Sequence, residues 1–186
     1  MDCFIHRKHL TEYEEQFRDK GIDCFGIVAD ISETESVRKA FADIFSEINY
    51  IDVLVCNVTI REPGLPTSWT DKDLLEHYNT DVLGAFRCVK EVLPSQIAQG
   101  IGTILFTGGG FSIHPMAEYS CVSIDKAALR SLACTLHQEL KEKGIFVGII
   151  TIMGNVVPET HYAPEKIAEV YWKMYQERKV WEYIYQ

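Results

Sequence analysis

Residues 51–56, IDVLVC, form a continuous apolar run, which is typical of a strand covered on both faces of a parallel sheet. Two similar runs follow it, GTILFT at 102–107 and IFVGIITI at 145–152. Between these runs lie two long segments, 71–93 and 118–143, with apolar residues at helical spacing. Strands that alternate with helices in this order predict an α/β fold, with helices on both faces of a parallel sheet.

The same alternation continues toward both ends of the chain. Ser32-x-x-Glu35 and Thr70-x-x-Asp73 have the spacing of capping boxes that open helices. Pro94 is expected to close the helix that begins at 71, because a proline disrupts a helix interior. Further strands are predicted at 3–5, 24–29 and 180–185, and further helices over 9–20, from Ser32 and from Pro164. The chain is therefore predicted to be one domain, residues 1–186, with about six strands.

Composition excludes several classes of function. The formal net charge of −9 and the pI of about 5.1 argue against binding to nucleic acid or to an anionic membrane, since both require clustered Lys and Arg. The sequence has no apolar run long enough to span a membrane and no signal peptide at its start. Six scattered cysteines without a CxxC pair favour reduced thiols in the cytoplasm. The histidines lack the spacing of metal ligands, so no metal site is expected.

Five short motifs occur in a characteristic order along the predicted elements. They are Ala29-Asp30-Ile31, Cys56-Asn57-Val58-Thr59, Asp81-Val-Leu-Gly84, Lys126-Ala-Ala-Leu and Met153-Gly154. In order, spacing and placement on strands and helices, they resemble the motifs of the short-chain dehydrogenase/reductase family. The resemblance covers nearly the whole chain and implies a three-layer, doubly wound, Rossmann-like sheet.

The resemblance also implies a function. Members of the family are oxidoreductases that use NADP or NAD on carbonyl or alcohol substrates. Arg7, just after the first predicted strand, lies where NADP-binding members carry a basic residue for the 2′-phosphate. The family's paired helices correspond to 71–93 and 118–143, so a homo-oligomer through these helices is expected. The implied cofactor-binding residues are Arg7, Asp30, Ile31, Asn57, Val58, Lys126 and Gly154.

The front of the family fold has no counterpart in this sequence. That fold begins with a strand and a glycine-rich turn that cradles pyrophosphate, whereas this chain begins at what resembles the second strand. The missing strand lies at the centre of the family sheet, so its loss would leave a gap of about 10 Å, two strand spacings. The strand at 3–5 could slide over to pair with 51–56, a second subunit could donate structure, or the natural polypeptide could be longer. We favour sliding or subunit exchange. The cluster Gly108–Gly110 follows a late strand and is expected to form a tight loop.

The tyrosine that family members place one helical turn before their lysine is absent. Val122 stands four residues before Lys126, and valine has no proton to transfer. Tyr119 lies seven residues before Lys126, a distance of about 10 Å along a helix axis. It could serve as the proton donor only if the chain is not yet helical there; otherwise it is a surface tyrosine at the helix entry.

The other catalytic positions are also altered. Gly109 occupies the place of the family's carbonyl-polarising serine, and Ser112 is a candidate substitute for it. Asp81 replaces the asparagine of the long helix, and Asn79 should point away from the site because two helical residues are about 200° apart. Thr59 replaces a glycine, and its side chain should crowd an approaching dinucleotide. The candidate catalytic residues are thus Lys126, Tyr119, Asp81 and Ser112.

Two interpretations remain open. In the first, the chain is an NAD(P)-dependent oxidoreductase with a degenerate active site. In the second, it is a non-catalytic relative that acts as an oligomeric scaffold or binding protein. The replacements at the catalytic positions favour the second. Neither interpretation identifies a substrate. The loops that would select it, 60–69 and 154–163, have the least regular sequence pattern in the chain.

Overall fold

The structure is a computed structural model that describes residues 7–186, with side chains from Leu10 onward. Its helices are α1 (Arg7–Asp19), α2 (Thr34–Glu47), α3 (Asp71–Tyr78), α4 (Ala85–Gln99), α5 (Ser120–Leu140) and α6 (Pro164–Glu177). Its strands are β1 (Val53–Cys56), β2 (Gly102–Gly109), β3 (Ile145–Ile152) and β4 (Glu182–Tyr185). Among residues 7–186, none of the helices combines the length and apolarity that a bilayer crossing requires.

The four strands form one parallel sheet in the order β1-β2-β3-β4. β2 and β3 pair along their whole length, from Gly102 opposite Ile145 to Gly109 opposite Ile152. β1 and β4 are each four residues long and lie at the two edges. The carboxyl ends of all strands therefore meet at one edge of the sheet, where ligands bind in open α/β folds.

Helices cover both faces of the sheet, as the sequence predicts. On one face, α4 and α5 pack on β2 and β3 through side chains that include Val89, Leu129 and Ile104. On the other face, α6 packs through Ile167, Val170 and Met174, which contact Leu105, Phe146 and Ile150. The result is a three-layer α/β domain with two separate apolar cores.

The side of the sheet beyond β1 differs from the prediction. Residues 24–29 form no strand, although the segment is apolar. Within residues 7–186, no strand pairs with the free edge of β1, and Val55 is 48% exposed. The interpretation of 51–56 as a strand covered on both faces is therefore wrong: it is a short edge strand. The predicted strand at 3–5, and with it the sliding alternative, falls outside the described residues.

The helix that begins at Asp71 is longer than predicted. The Thr70–Asp73 capping box is present, but the helix passes through Pro94 and ends at Gln99, where Gly100 takes the left-handed conformation with φ 68°. Gln96 is fully buried and its amide donates to the Ile51 carbonyl at 3.0 Å. This tertiary contact holds the last turn, so the proline does not end the helix.

The capping box predicted at Ser32 does not form. The helix begins at Thr34 instead, and the Ser32 amide and hydroxyl both donate to Asp30 Oδ1, at 2.9 and 2.6 Å. Asp30 therefore closes a turn just before α2. This turn competes with the cap because an aspartate readily bonds backbone amides two residues ahead.

Candidate active site

The motif residues converge at the carboxyl edge of the sheet, between the loops after β1 and β2 and the start of α5. The long helix passes this point as a π-helical segment, Asn79–Gly84. Such segments are rare and frequently lie at functional sites. Gly84 in this segment allows the Ile31 side chain to approach, since a Cβ on Gly84 would lie 2.6 Å from it. Two of the sequence motifs are therefore in direct contact.

Asp81 lies on the π-helical segment and is only 2% exposed. Its carboxylate accepts hydrogen bonds from the Thr59 hydroxyl at 2.6 Å and from the Ile60 amide at 2.8 Å. Burial raises the pKa of Asp81, and these hydrogen bonds oppose the rise. The aspartate thus anchors the loop after β1 to the long helix.

Lys126 is buried on α5 and its ammonium donates to the Thr107 carbonyl at 3.0 Å. Burial lowers the pKa of Lys126, while the charges of Asp81 and Asp125 oppose that shift. Asp125 is 2% exposed, and burial, with the neighbouring Asp81, raises its pKa to about 7. The site therefore contains two buried carboxyl groups whose charges act on one buried ammonium.

His77 extends this cluster toward the surface. Its Nδ1 lies 4.0 Å from Asp125 Oδ2, and neither atom has a hydrogen-bond partner among the described residues. Its Nε2 lies 3.7 Å from Glu62 Oε2, and its ring packs edge-on against Trp69. A cavity of about 350 Å³ adjoins His77, Glu62 and Trp69. Within residues 7–186, no three His, Cys, Asp or Glu side chains are arranged to hold a metal ion.

Two predicted catalytic residues do not join this cluster. Tyr119 is the residue before α5 and is not helical, with φ −130° and ψ 47°, but its ring stacks on Phe111 rather than facing Lys126. The Ser112 hydroxyl donates to the Gly109 carbonyl at 2.8 Å and closes its own short turn. The structure therefore brings Asp81 and Lys126 together and leaves the other two candidates outside.

The predicted cofactor-binding residues lie mostly along the same edge. Asn57 and Val58 directly follow β1, exposed and half-buried respectively. Asp30 and Ile31 are half-buried beside the long helix. Gly154 lies two residues after β3, where a Cβ would collide with the Tyr162 ring. Arg7 begins α1 rather than following a strand in the described part, and its side chain lies outside the described residues.

Sequence reasoning missed two members of the buried cluster, His77 and Asp125. Both had a signal in the sequence: His77 is four residues before Asp81, and Asp125 directly precedes Lys126. The Asn79 side chain bonds the Ser32 carbonyl and Arg87, and the residue also lines the cavity beside His77. What the sequence could not indicate is that the two missed residues would face each other between two helices.

The sequence is similar to those of known proteins. The sequence profile described as short chain dehydrogenase matches residues 3–165. A 3-oxoacyl-[acyl-carrier-protein] reductase FabG of Staphylococcus epidermidis is 27% identical over 139 residues, which cover 73% of this chain and 56% of that protein. The 3-oxoacyl-[acyl-carrier-protein] reductase MabA of Mycobacterium avium is 26% identical over 129 residues, 68% of this chain and 49% of its own. The chain thus spans about half the length of these relatives.

Solved structures share the fold at low sequence identity. LigD of Sphingobium sp., in its apo form, superposes with a TM-score of 0.87 at 21% identity, covering 97% of this chain and 75% of that one. A short-chain dehydrogenase of Sphingobium yanoikuyae in complex with NADPH gives a TM-score of 0.83 at 18% identity, covering 96% and 74%. Together with the profile match over most of its length, the motif order and the sheet topology, this places the chain in the short-chain dehydrogenase family.

Proposed function

We propose that this protein is an NADP- or NAD-dependent oxidoreductase of carbonyl or alcohol substrates whose site lacks the family's proton-donating tyrosine. The observation that carries the proposal is Lys126. It is 5% exposed at the family's lysine position, with its ammonium held by the Thr107 carbonyl. Burial of an ammonium costs free energy, so a lysine retained there supports a role in the site.

The residues beside Lys126 suit the ribose end of a dinucleotide. Its ammonium has three N–H donors and gives one to Thr107, which leaves donors for ribose hydroxyls. Gly109 leaves this position open, since a Cβ there would meet only Lys126 Cγ, at 3.9 Å. A bound nicotinamide cofactor would supply or accept the hydride.

The pyrophosphate end is not matched within residues 7–186. In this fold, pyrophosphate lies at a glycine-rich turn that opens a helix, and the described residues hold no such turn beside β1. The Thr59 hydroxyl is bonded to Asp81, and Asp30 Oδ1 to Ser32. The described residues therefore support only the ribose end of the proposed cofactor site. The predicted position of Arg7 and the NADPH complex of a protein with the same fold support NADP as the cofactor to test first.

Proton transfer in this site must differ from that of the family. Val122 is buried and has no exchangeable proton, and Tyr119 stacks on Phe111 away from Lys126, so the reacting oxygen would exchange its proton with water. Asp81 and Lys126 would then orient the site rather than deliver the proton. Even with the cofactor bound, turnover is therefore expected to be slow, because no positioned side chain transfers the proton.

The test is a calorimetric titration of NADPH into the whole protein. Saturable binding is expected, and Lys126→Met should weaken it at least tenfold while largely filling the volume of the lysine. Lys166→Met, on the exposed side of α6, is the matched control and should bind as the wild type does. Absence of binding at millimolar NADPH would reject the proposal, and an unchanged affinity in Lys126→Met would reject this assignment of the site.

The second candidate is a non-catalytic oligomeric scaffold. It is favoured by Val122 and Gly109 at two catalytic positions and by exposed apolar residues on the two long helices, Leu75 at 67% and Ile124 at 52%. Such residues mark interfaces when they cluster. Light scattering should then give a homo-oligomer that Ile124→Glu dissociates, with no NADPH binding in either form.

A further inference from the structure

Three loops from the carboxyl edge of the sheet meet at one arginine. Arg61 lies on the loop after β1, and its Nη2 donates to Oδ1 of Asn155, on the loop after β3, at 3.1 Å. Its guanidinium carbon lies 5.3 Å from the ring centroid of Tyr119, which ends the loop after β2. The arginine is therefore positioned by the three loops that surround the substrate side of this fold.

Neither partner of Arg61 neutralises its charge. An amide oxygen and an aromatic face orient a guanidinium without a counter-charge. By contrast, Arg38 and Arg130 are paired with Glu35 and Glu182. No carboxylate within the described residues pairs with Arg61, in a chain whose net charge is −9. An exposed arginine without a counter-ion in such an acidic chain remains available to an anionic ligand.

The geometry also leaves the arginine's donors free. A guanidinium has five N–H donors, and one of them reaches Asn155. The remaining donors form the planar fork that binds carboxylate or phosphate through two parallel hydrogen bonds. The stacked rings of Phe111 and Tyr119, 5.6 Å apart, offer an apolar surface next to this fork.

The loop that carries Arg61 is anchored before any ligand arrives. The Gly64 amide donates to the Glu118 carbonyl at 2.7 Å, and the Ser120 hydroxyl donates to the Gly64 carbonyl at 2.8 Å. These bonds tie the loop to the beginning of α5, a 21-residue helix.

We propose that Arg61, held between Asn155 and Tyr119, binds an oxyanion of the substrate, a carboxylate or a phosphate. The proposal deepens the proposed function by naming the class of substrate and rests on it for the reaction. Anion binding itself requires neither cofactor nor turnover, so its failure and the failure of the proposed function can be distinguished.

The experiment follows the arginine Nε–Hε signals by NMR while succinate, inorganic phosphate or succinamide is titrated into the whole protein. Succinamide is the uncharged counterpart of succinate. The Arg61 signal should shift and saturate with succinate or with phosphate but not with succinamide. The anion that binds more tightly indicates whether the oxyanion of the substrate is a carboxylate or a phosphate. An equal response to succinate and succinamide would overturn the proposal.

Four variants sharpen the result, with binding of the tighter anion followed by calorimetry. Arg61→Gln should lose at least tenfold in affinity. Asn155→Asp should lose as much, because a carboxylate of the same shape, 3.1 Å from the guanidinium, would neutralise its charge. Asn155→Ala removes the positioning contact but retains the free charge, so it should lose less affinity than Asn155→Asp does. Arg38→Gln, at an exposed arginine already paired with Glu35, is the control. If Arg61→Gln binds as the wild type does, the proposal is wrong.

Discussion

The centre of the sheet and its β1 edge arise from similar stretches of sequence but differ in burial. IFVGIITI at 145–152 and IDVLVC at 51–56 are both continuous apolar runs. Every residue of β3 is buried, whereas β1 is four residues long and only its last residue, Cys56, is buried. Apolar composition therefore indicates a strand, but it does not indicate how many neighbours that strand has.

The largest test of this comparison is a matched pair of valines. Val147 in β3 is fully buried and Val55 in β1 is 48% exposed. Val147→Ala should lower the free energy of unfolding by about 2 to 3 kcal/mol, because it leaves a cavity in the core. Val55→Ala should cost about 0.5 kcal/mol or less, as is usual for surface changes.

Both valine variants are measured by urea denaturation at neutral pH. Both variants remove the same two methyl groups from a valine in a strand, so the difference between them reports the surroundings of the two side chains, in the central strand and in the edge strand. Equal losses would mean that the β1 edge is covered in solution, for example by a second subunit. The difference between the variants thus tests whether the free edge of β1 is exposed.

The sequence predicted the centre of the sheet closely and the β1 side poorly. The limits of the strand at 145–152, the stop at Gly144 and the start at Pro164 were all correct. They depend on local signals: an apolar run, a glycine that adopts φ 77°, and a proline at the first helical turn. The 24–29 segment has the local signal of a strand but no partner strand within residues 7–186. A strand needs a neighbour that no local pattern specifies.

The site shows the same division between local and long-range information. Asp81 and Lys126 were identified because each lies in a motif of fixed spacing. The contact between the Thr59 hydroxyl and Asp81 joins two residues at which the sequence departs from the family pattern. Two departures that hydrogen-bond each other indicate one altered arrangement of the loop after β1 rather than two separate losses.

The second prediction concerns the buried carboxyl group of Asp125. Burial raises its pKa to about 7, so the folded state holds a proton that the unfolded state releases near pH 4. The stability contribution of this group is fully present below its unfolded pKa and is lost as pH rises through about 7. Asp125→Asn cannot ionise and should be more stable than the wild type at pH 8, by on the order of 2 kcal/mol.

The measurement is thermal and urea unfolding of wild type and Asp125→Asn at several pH values from 4 to 8. The stability gap should close toward pH 4, where the unfolded state also begins to hold the proton that the folded state carries. Asp52→Asn, at an exposed aspartate beside β1, should show no such trend and serves as the control. A gap independent of pH would mean that Asp125 is already ionised below neutral pH and that Lys126 neutralises it.

The smallest effect is expected from two adjacent glycines at the end of β2, where the buried sheet meets the site. A Cβ on Gly108 would lie 3.0 Å from Ile149 and from Thr151, whereas one on Gly109 would meet only Lys126, at 3.9 Å. Gly108→Ser should therefore cost about 1 to 2 kcal/mol through overpacking. Gly109→Ser should stay within about 0.5 kcal/mol of the wild type, since the backbone there is ordinary extended chain with φ −153°. Similar losses in both variants would show that the space beside Lys126 is already filled. The proposed cofactor would then have no room there.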